Sequence, residues 1–144
     1  MSRGWRERIA FRLPSALVEF PFEFFIAAFS VLMGAAIVFG ATRPGSIVDL
    51  LPWFGVDVWG AGLAMGGLTI AFGLARHLVI VTSMGLGLLA FLFPVYAIAV
   101  VAVAGVSDGL VAGGFCALLG TLSAFRSFYL RALAEVGRRI YKES

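Results

Sequence analysis

Four long apolar runs, separated by short polar punctuation, decide what this chain can fold into. They cover residues 22–41, 58–75, 78–104 and 110–125, and they contain almost no charge. A helix needs about 20 mainly apolar residues to cross a hydrocarbon core of about 30 Å, and these runs meet or approach that length. Lipid offers no hydrogen bonds to stray backbone, so a spanning segment must be a helix or part of a closed barrel. Barrel strands alternate polar and apolar residues, and these runs do not. The expected fold is all-α: a polytopic membrane protein of four transmembrane helices.

Composition agrees. The chain is 61% hydrophobic, against about 45–50% in a soluble domain. A secretory signal peptide would show one apolar region followed by a polar chain. Here the runs recur as far as Phe125, so no removable segment is expected. The single Cys116 lies in an apolar run without a partner cysteine. It reads as a small buried hydrophobe.

Charge sets the orientation. With the N-terminus in the cytoplasm, all of the 11 Lys and Arg residues except Arg43 fall on the inner side. That bias predicts cytoplasmic N- and C-termini in a bacterial inner membrane. The outer connections instead carry Asp49, Asp57 and Asp108. Asp57 and Asp108 each stand where an apolar run begins, and both are expected to cap helix N-termini. Arg76 and His77 make the inner turn, and residues 105–109 make the second outer one. Such short connections force sequential antiparallel neighbours, hence an up-down-up-down bundle. The longer outer connection, RPGSIVDLLPWFGVD, mixes breakers with Leu50, Leu51, Trp53 and Phe54. It is expected to lie in the outer interface, with Trp53 and Trp59 in the aromatic belt.

Both ends read as amphipathic, and the chain divides into a cytoplasmic basic segment 1–21, the membrane domain 22–125 and a basic tail 126–144. In the first segment Trp5, Ile9, Leu13, Ala16 and Phe20 share a helical face, which Pro14 should interrupt. In the tail Tyr129, Leu130, Leu133, Gly137 and Ile140 oppose Arg131, Glu135, Arg138, Arg139 and Lys142. Arg131, Arg138, Arg139 and Lys142 suit the anionic inner leaflet, the expected partner, rather than nucleic acid.

Helices in lipid associate through small residues that let backbones approach. Gly62 and Gly66 form a GxxxG, and Gly67, Ala71 and Ala75 continue a small ridge on the second helix. These are candidates for packing within the bundle or for contact between copies. Pro94, inside the third run, is expected to bend its helix. Glu19 and Glu23 stand at i, i+4 and stack two carboxylates at the inner end of the first helix. They are the candidate functional carboxylates, although a dipole at that helix end and a neighbour such as Arg126 suit a structural role. With one His, one Cys and no GxxxxGK[ST], the chain is expected to lack the parts for catalysis, a metal or a cofactor. His77 reads as an interfacial residue.

The basic start MSRGWRERIAFRLP, the outer LPWFGVDVWGAGLAMGG, the Arg76–His77 turn and the basic tail from Arg126 set a recognisable layout. In it the chain resembles the small four-span membrane proteins of actinobacterial phages, several of them holin-like. The resemblance is one of layout, and it carries no functional residue across. It implies an oligomerising, non-enzymatic protein that permeabilises or remodels the inner membrane. A scaffold or accessory subunit fits the same features, and a small four-helix transporter using Glu23 is the third reading.

Overall fold

The computed structural model describes residues 20–41 and 53–143, the backbone alone at 53, 54, 108 and 137–143. Among these residues the chain is helical, and four helices are long and apolar enough to cross a membrane. Helix α1 is Pro21–Val38 and α2 is Trp53–Ala75. A helical run Val79–Glu143 follows, broken at Gly105, whose φ of 78° and ψ of 169° belong to no helix. It divides into α3, Val79–Ser107, and α4, Gly109–Val136, which continues helical to Glu143.

Local chemistry fixes these ends. Pro21 opens α1 where its missing N–H costs nothing. At the other end Gly40 takes φ +72° and donates to the Ile37 carbonyl. At the α2–α3 turn the Leu78 N–H donates to Gly73 O at 2.8 Å and the His77 N–H to Leu74 O at 3.2 Å. That pair of bonds is a Schellman motif, with His77 in the left-handed position at φ 53°. His77 is therefore the residue that turns the chain, a role its interfacial reading did not contain.

Glycines set the spacing of neighbouring helices. A Cβ on Gly34 would stand 2.5 Å from the Ala64 nitrogen, and one on Gly67 2.6 Å from the Ala27 carbonyl oxygen. The backbones of α1 and α2 thus meet directly. Helix α2 meets α3 in the same way at Gly73 against Thr82, and α3 meets α4 at Gly113 against Ala97 and at Gly120 against the Pro94 ring. These contacts also fix depth. Gly67 stands level with residues 27–31, Gly66 level with Leu89, Gly120 with Phe93 and Pro94, and Ser127 with Ser83. Helices α1 and α4 show no such backbone approach among the described residues and meet through side chains. The outward surface is apolar, with Leu32, Met65, Phe91, Val111 and Phe125 all well exposed.

One expectation changes. Asp57 does not cap α2, because the helix begins at Trp53 and Asp57 falls beyond its first turn. Burial of Val56 against the core needs that extra turn to be helical, and this outweighs the capping signal. The break after the third run lies at Gly105, within the expected outer turn, where no Cβ resists a positive φ, and Pro94 lies inside α3. The segments 1–19 and 42–52, with Glu19 and Asp49, and the side chains of Trp53, Asp108, Arg138, Arg139 and Lys142 lie outside the described residues.

Candidate functional site

The interior of the bundle changes character from one end to the other. At the basic end, which carries Arg76, His77 and Arg126, a cavity of about 170 Å³ sits among Phe20, Gly73, Leu74, His77, Thr82 and Leu130. All four helical regions contribute to it. At the far end a second cavity of about 90 Å³ is lined by Met33, Ile37, Trp59, Leu63, Tyr96 and Cys116. Again every helix contributes. Both are partly open, and the fully buried Ile26, Ile70, Leu86 and Leu89 fill the interior between them.

Between them stand the buried polar side chains. Glu23, in the first turn of α1, is fully buried, and its Oε1 accepts from the Nε of Arg126 on α4. The Arg126 guanidinium lies partly exposed, 5.3 Å over the Tyr129 ring. At about the same depth α3 and α4 are laced together. Ser127 Oγ donates to the Ser83 carbonyl at 2.9 Å, and the two hydroxyls are 3.1 Å apart. Arg131 Nε donates to Ser83 Oγ at 2.8 Å, so its guanidinium is turned along α3 toward Gly87. This direction follows from helix geometry, since side chains lean toward the N-terminus of their own helix.

A second polar layer lies nearer the bilayer middle. Ser30 is two turns beyond Glu23, about 10 Å along the axis, and stands level with Gly66 and Gly67. Ser123 is one turn from Ser127 and falls between the levels of Gly120 and Ser127, which again is the depth of Leu89. Both serines are fully buried. Three buried atoms, Glu23 Oε2, Ser30 Oγ and Ser123 Oγ, have no hydrogen-bond partner among the described residues. At this layer Phe29, next to Ser30, meets Phe93, one turn beyond Leu89, at 6.3 Å between ring centroids, and both rings line the far cavity.

The residues singled out from sequence scatter over this architecture. Gly62 and Gly66 face the Leu92 and Leu89 side chains of α3, and Gly67 faces α1, so this ridge is occupied inside the bundle. Ala71 is exposed on an apolar groove between α1 and α2. Glu23 and Arg126 are brought together, and Cys116 lines the far cavity. No group of three His, Cys, Asp or Glu among the described residues is placed to hold a metal. The serines were not anticipated. Their signal is periodic: Ser123, Ser127 and Arg131 recur at i, i+4 and i+8, and Glu23 and Ser30 at i and i+7, each set on one helical face. No protein-family model, curated protein or solved structure matches the chain.

Proposed function

We propose that this is a non-enzymatic protein of the bacterial inner membrane that permeabilises it in a holin-like manner, through the axis of its own bundle. Both termini lie in the cytoplasm, and copies assemble in the membrane. The observation that carries this reading is the interior: a partly open cavity at each end and, between them, buried polar side chains, Glu23, Ser30 and Ser123, set into the apolar core. The outward surface of the spans is largely apolar, so packing intact copies side by side offers little to line a wet lumen. The GxxxG of α2 is already occupied by α3, which removes it as the seam of a pore between copies. What remains is opening of the interior along the α1–α4 side, where only side chains meet.

The test uses the full chain reconstituted in vesicles, following release of a trapped dye and decay of a potassium diffusion potential. Flux is expected, and a thiol reagent that reaches Cys116 in the far cavity should slow it. The Cys116→Ser variant should conduct and resist the reagent. A membrane that stays tight at high protein content sinks the permeation reading and leaves that of a scaffold.

The buried Glu23 favours one second reading, a proton-coupled carrier that uses this carboxylate. Glu23→Gln separates the two. Loss of a proton-driven flux with the fold intact would establish the carrier, whereas flux retained in the variant excludes it.

A further inference from the structure

We propose that Arg131, held by Ser83 at the outer seam between α3 and α4, is a site for the phosphate of an anionic phospholipid in the leaflet at the basic end. The proposal stands on the membrane-spanning fold and on this seam, so it is independent of whether the bundle opens.

An arginine near the end of a membrane helix ordinarily extends its charged head to the interface. Arg131 does the opposite. Its side chain leans toward the N-terminus of α4, hence toward the bilayer middle, and its Nε donates to Ser83 Oγ at 2.8 Å. The acceptor is itself fixed. Ser83 is fully buried, its hydroxyl donates to the Ser127 carbonyl at 3.3 Å, and Ser127 Oγ donates to the Ser83 carbonyl at 2.9 Å. With its hydrogen given to Ser127, the Ser83 oxygen is left to accept from Arg131, and the direction of the guanidinium is thereby built in. The guanidinium reaches over Gly87, one turn deeper than Ser83, where a Cβ would stand 3.6 Å from Nη2.

The charge held in this way has no counter-ion of its own. Arg131 is exposed and pairs with no carboxylate among the described residues, whereas Arg126 has Glu23. Its Nη donors are therefore left for a partner from outside the bundle. The surroundings say from where. Ile80 and Met84 on α3 and Phe128 on α4 are each more than half exposed, and Phe91 continues this apolar surface deeper in. The guanidinium thus opens on lipid, where an unpaired cation is costly. A phosphodiester meets the need, because its two free oxygens match the planar fork of a guanidinium. Its depth also fits, since Ser83 stands one turn inside α3, near the headgroup edge, and the acyl chains would cover Met84 and Phe91. A headgroup without an ammonium of its own leaves the phosphate charge to Arg131, which selects an anionic lipid.

Native mass spectrometry of the full chain, released from nanodiscs of equal phosphatidylglycerol and phosphatidylethanolamine, tests this by the lipid that stays bound. Phosphatidylglycerol should be retained in preference. Arg131→Gln should weaken its retention about tenfold, through the loss of charge-assisted hydrogen bonds. Gly87→Leu keeps every charge but covers the guanidinium, and should weaken it comparably. Arg76→Gln removes another exposed cation at the same end, one that lies 5.8 Å over the Phe72 ring, and should leave retention unchanged. Equal losses in Arg131→Gln and Arg76→Gln would show diffuse attraction and overturn the site. Equal retention of the two lipids overturns the anionic preference, and displacement of the lipid by excess inorganic phosphate overturns a lipid as the occupant. Should Arg131→Gln fail to fold, Gly87→Leu decides alone: folded protein that holds phosphatidylglycerol as the wild type does overturns the proposal.

Discussion

The Glu23–Arg126 pair makes its sharpest prediction through asymmetry. Glu23 is fully buried while the Arg126 side chain is 32% exposed, so removing the two partners has unequal consequences. Arg126→Leu leaves a carboxylate without its cation in the interior. Breaking a buried pair in this way costs about 3–5 kcal/mol, and the lower end applies because the pair borders solvent and the α1 N-terminus returns about 0.5–1 kcal/mol to a carboxylate in its first turn. Glu23→Gln leaves a guanidinium that can turn to the interface and still meet an amide oxygen, so about 1 kcal/mol is expected. The double variant buries a neutral amide beside a leucine, at about 2 kcal/mol, less damage than Arg126→Leu alone. The implied coupling is about 2 kcal/mol. Reversible unfolding of the purified chain in mixed micelles, followed by fluorescence of its 3 tryptophans, measures the cycle. Energies that add within about 0.5 kcal/mol, or a Glu23→Gln more damaging than Arg126→Leu, would refute the reasoning.

Glycine substitutions should separate by what they face: Gly67→Ala drives a Cβ into the Ala27 carbonyl and should cost about 2–3 kcal/mol in the same assay. Gly62→Ala meets only the end of the Leu92 side chain at 3.3 Å, and should change stability by less than about 1 kcal/mol. Reporter fusions should place both termini in the cytoplasm and residues 42–52 outside, as the distribution of Arg and Lys demands; a periplasmic signal from a fusion after Ser144 would reverse the topology. Flux per chain in vesicles should rise with the protein-to-lipid ratio, and flux strictly proportional to protein would show that single copies open unaided.

The spans were legible because the bilayer reads the same signal as the eye. Twenty apolar residues without charge can do little else, and tight turns then dictate antiparallel neighbours. Glu23 was legible as a rare charge in an apolar run, and Arg126 as the cation at matching depth. The serines were not, because a hydroxyl on a membrane helix can satisfy itself on its own backbone, as Thr69 and Thr121 do against Met65 and Ala117. Only the packed register tells those from Ser30 and Ser123, and register depends on which glycine faces which backbone. Gly62 and Gly66 show the same limit. Their spacing announces close approach, yet the partner chosen, α3 of the same chain, follows from tertiary geometry. His77 was hidden for a different reason, since a left-handed C′ position usually announces itself by Gly.

The same register explains why one side of the bundle differs from the other three. Helices α2 and α3 are tied by a three-residue turn, α3 and α4 by a tight turn at Gly105, and α1 and α2 by direct backbone contact. Parting any of these would leave bare glycine backbone and apolar side chains without their packing, and lipid replaces such packing poorly. Parting α1 from α4 breaks the Glu23–Arg126 bond and uncovers polar groups instead. In lipid alone that is unfavourable, because lipid offers the uncovered carboxylate and hydroxyls no replacement partners. The cost falls when water follows the opening, or when the bared side of one copy meets that of another. On the proposed permeation reading, an isolated copy would be held shut by the polarity that lines its open state, and crowding in the membrane would be the condition that releases it.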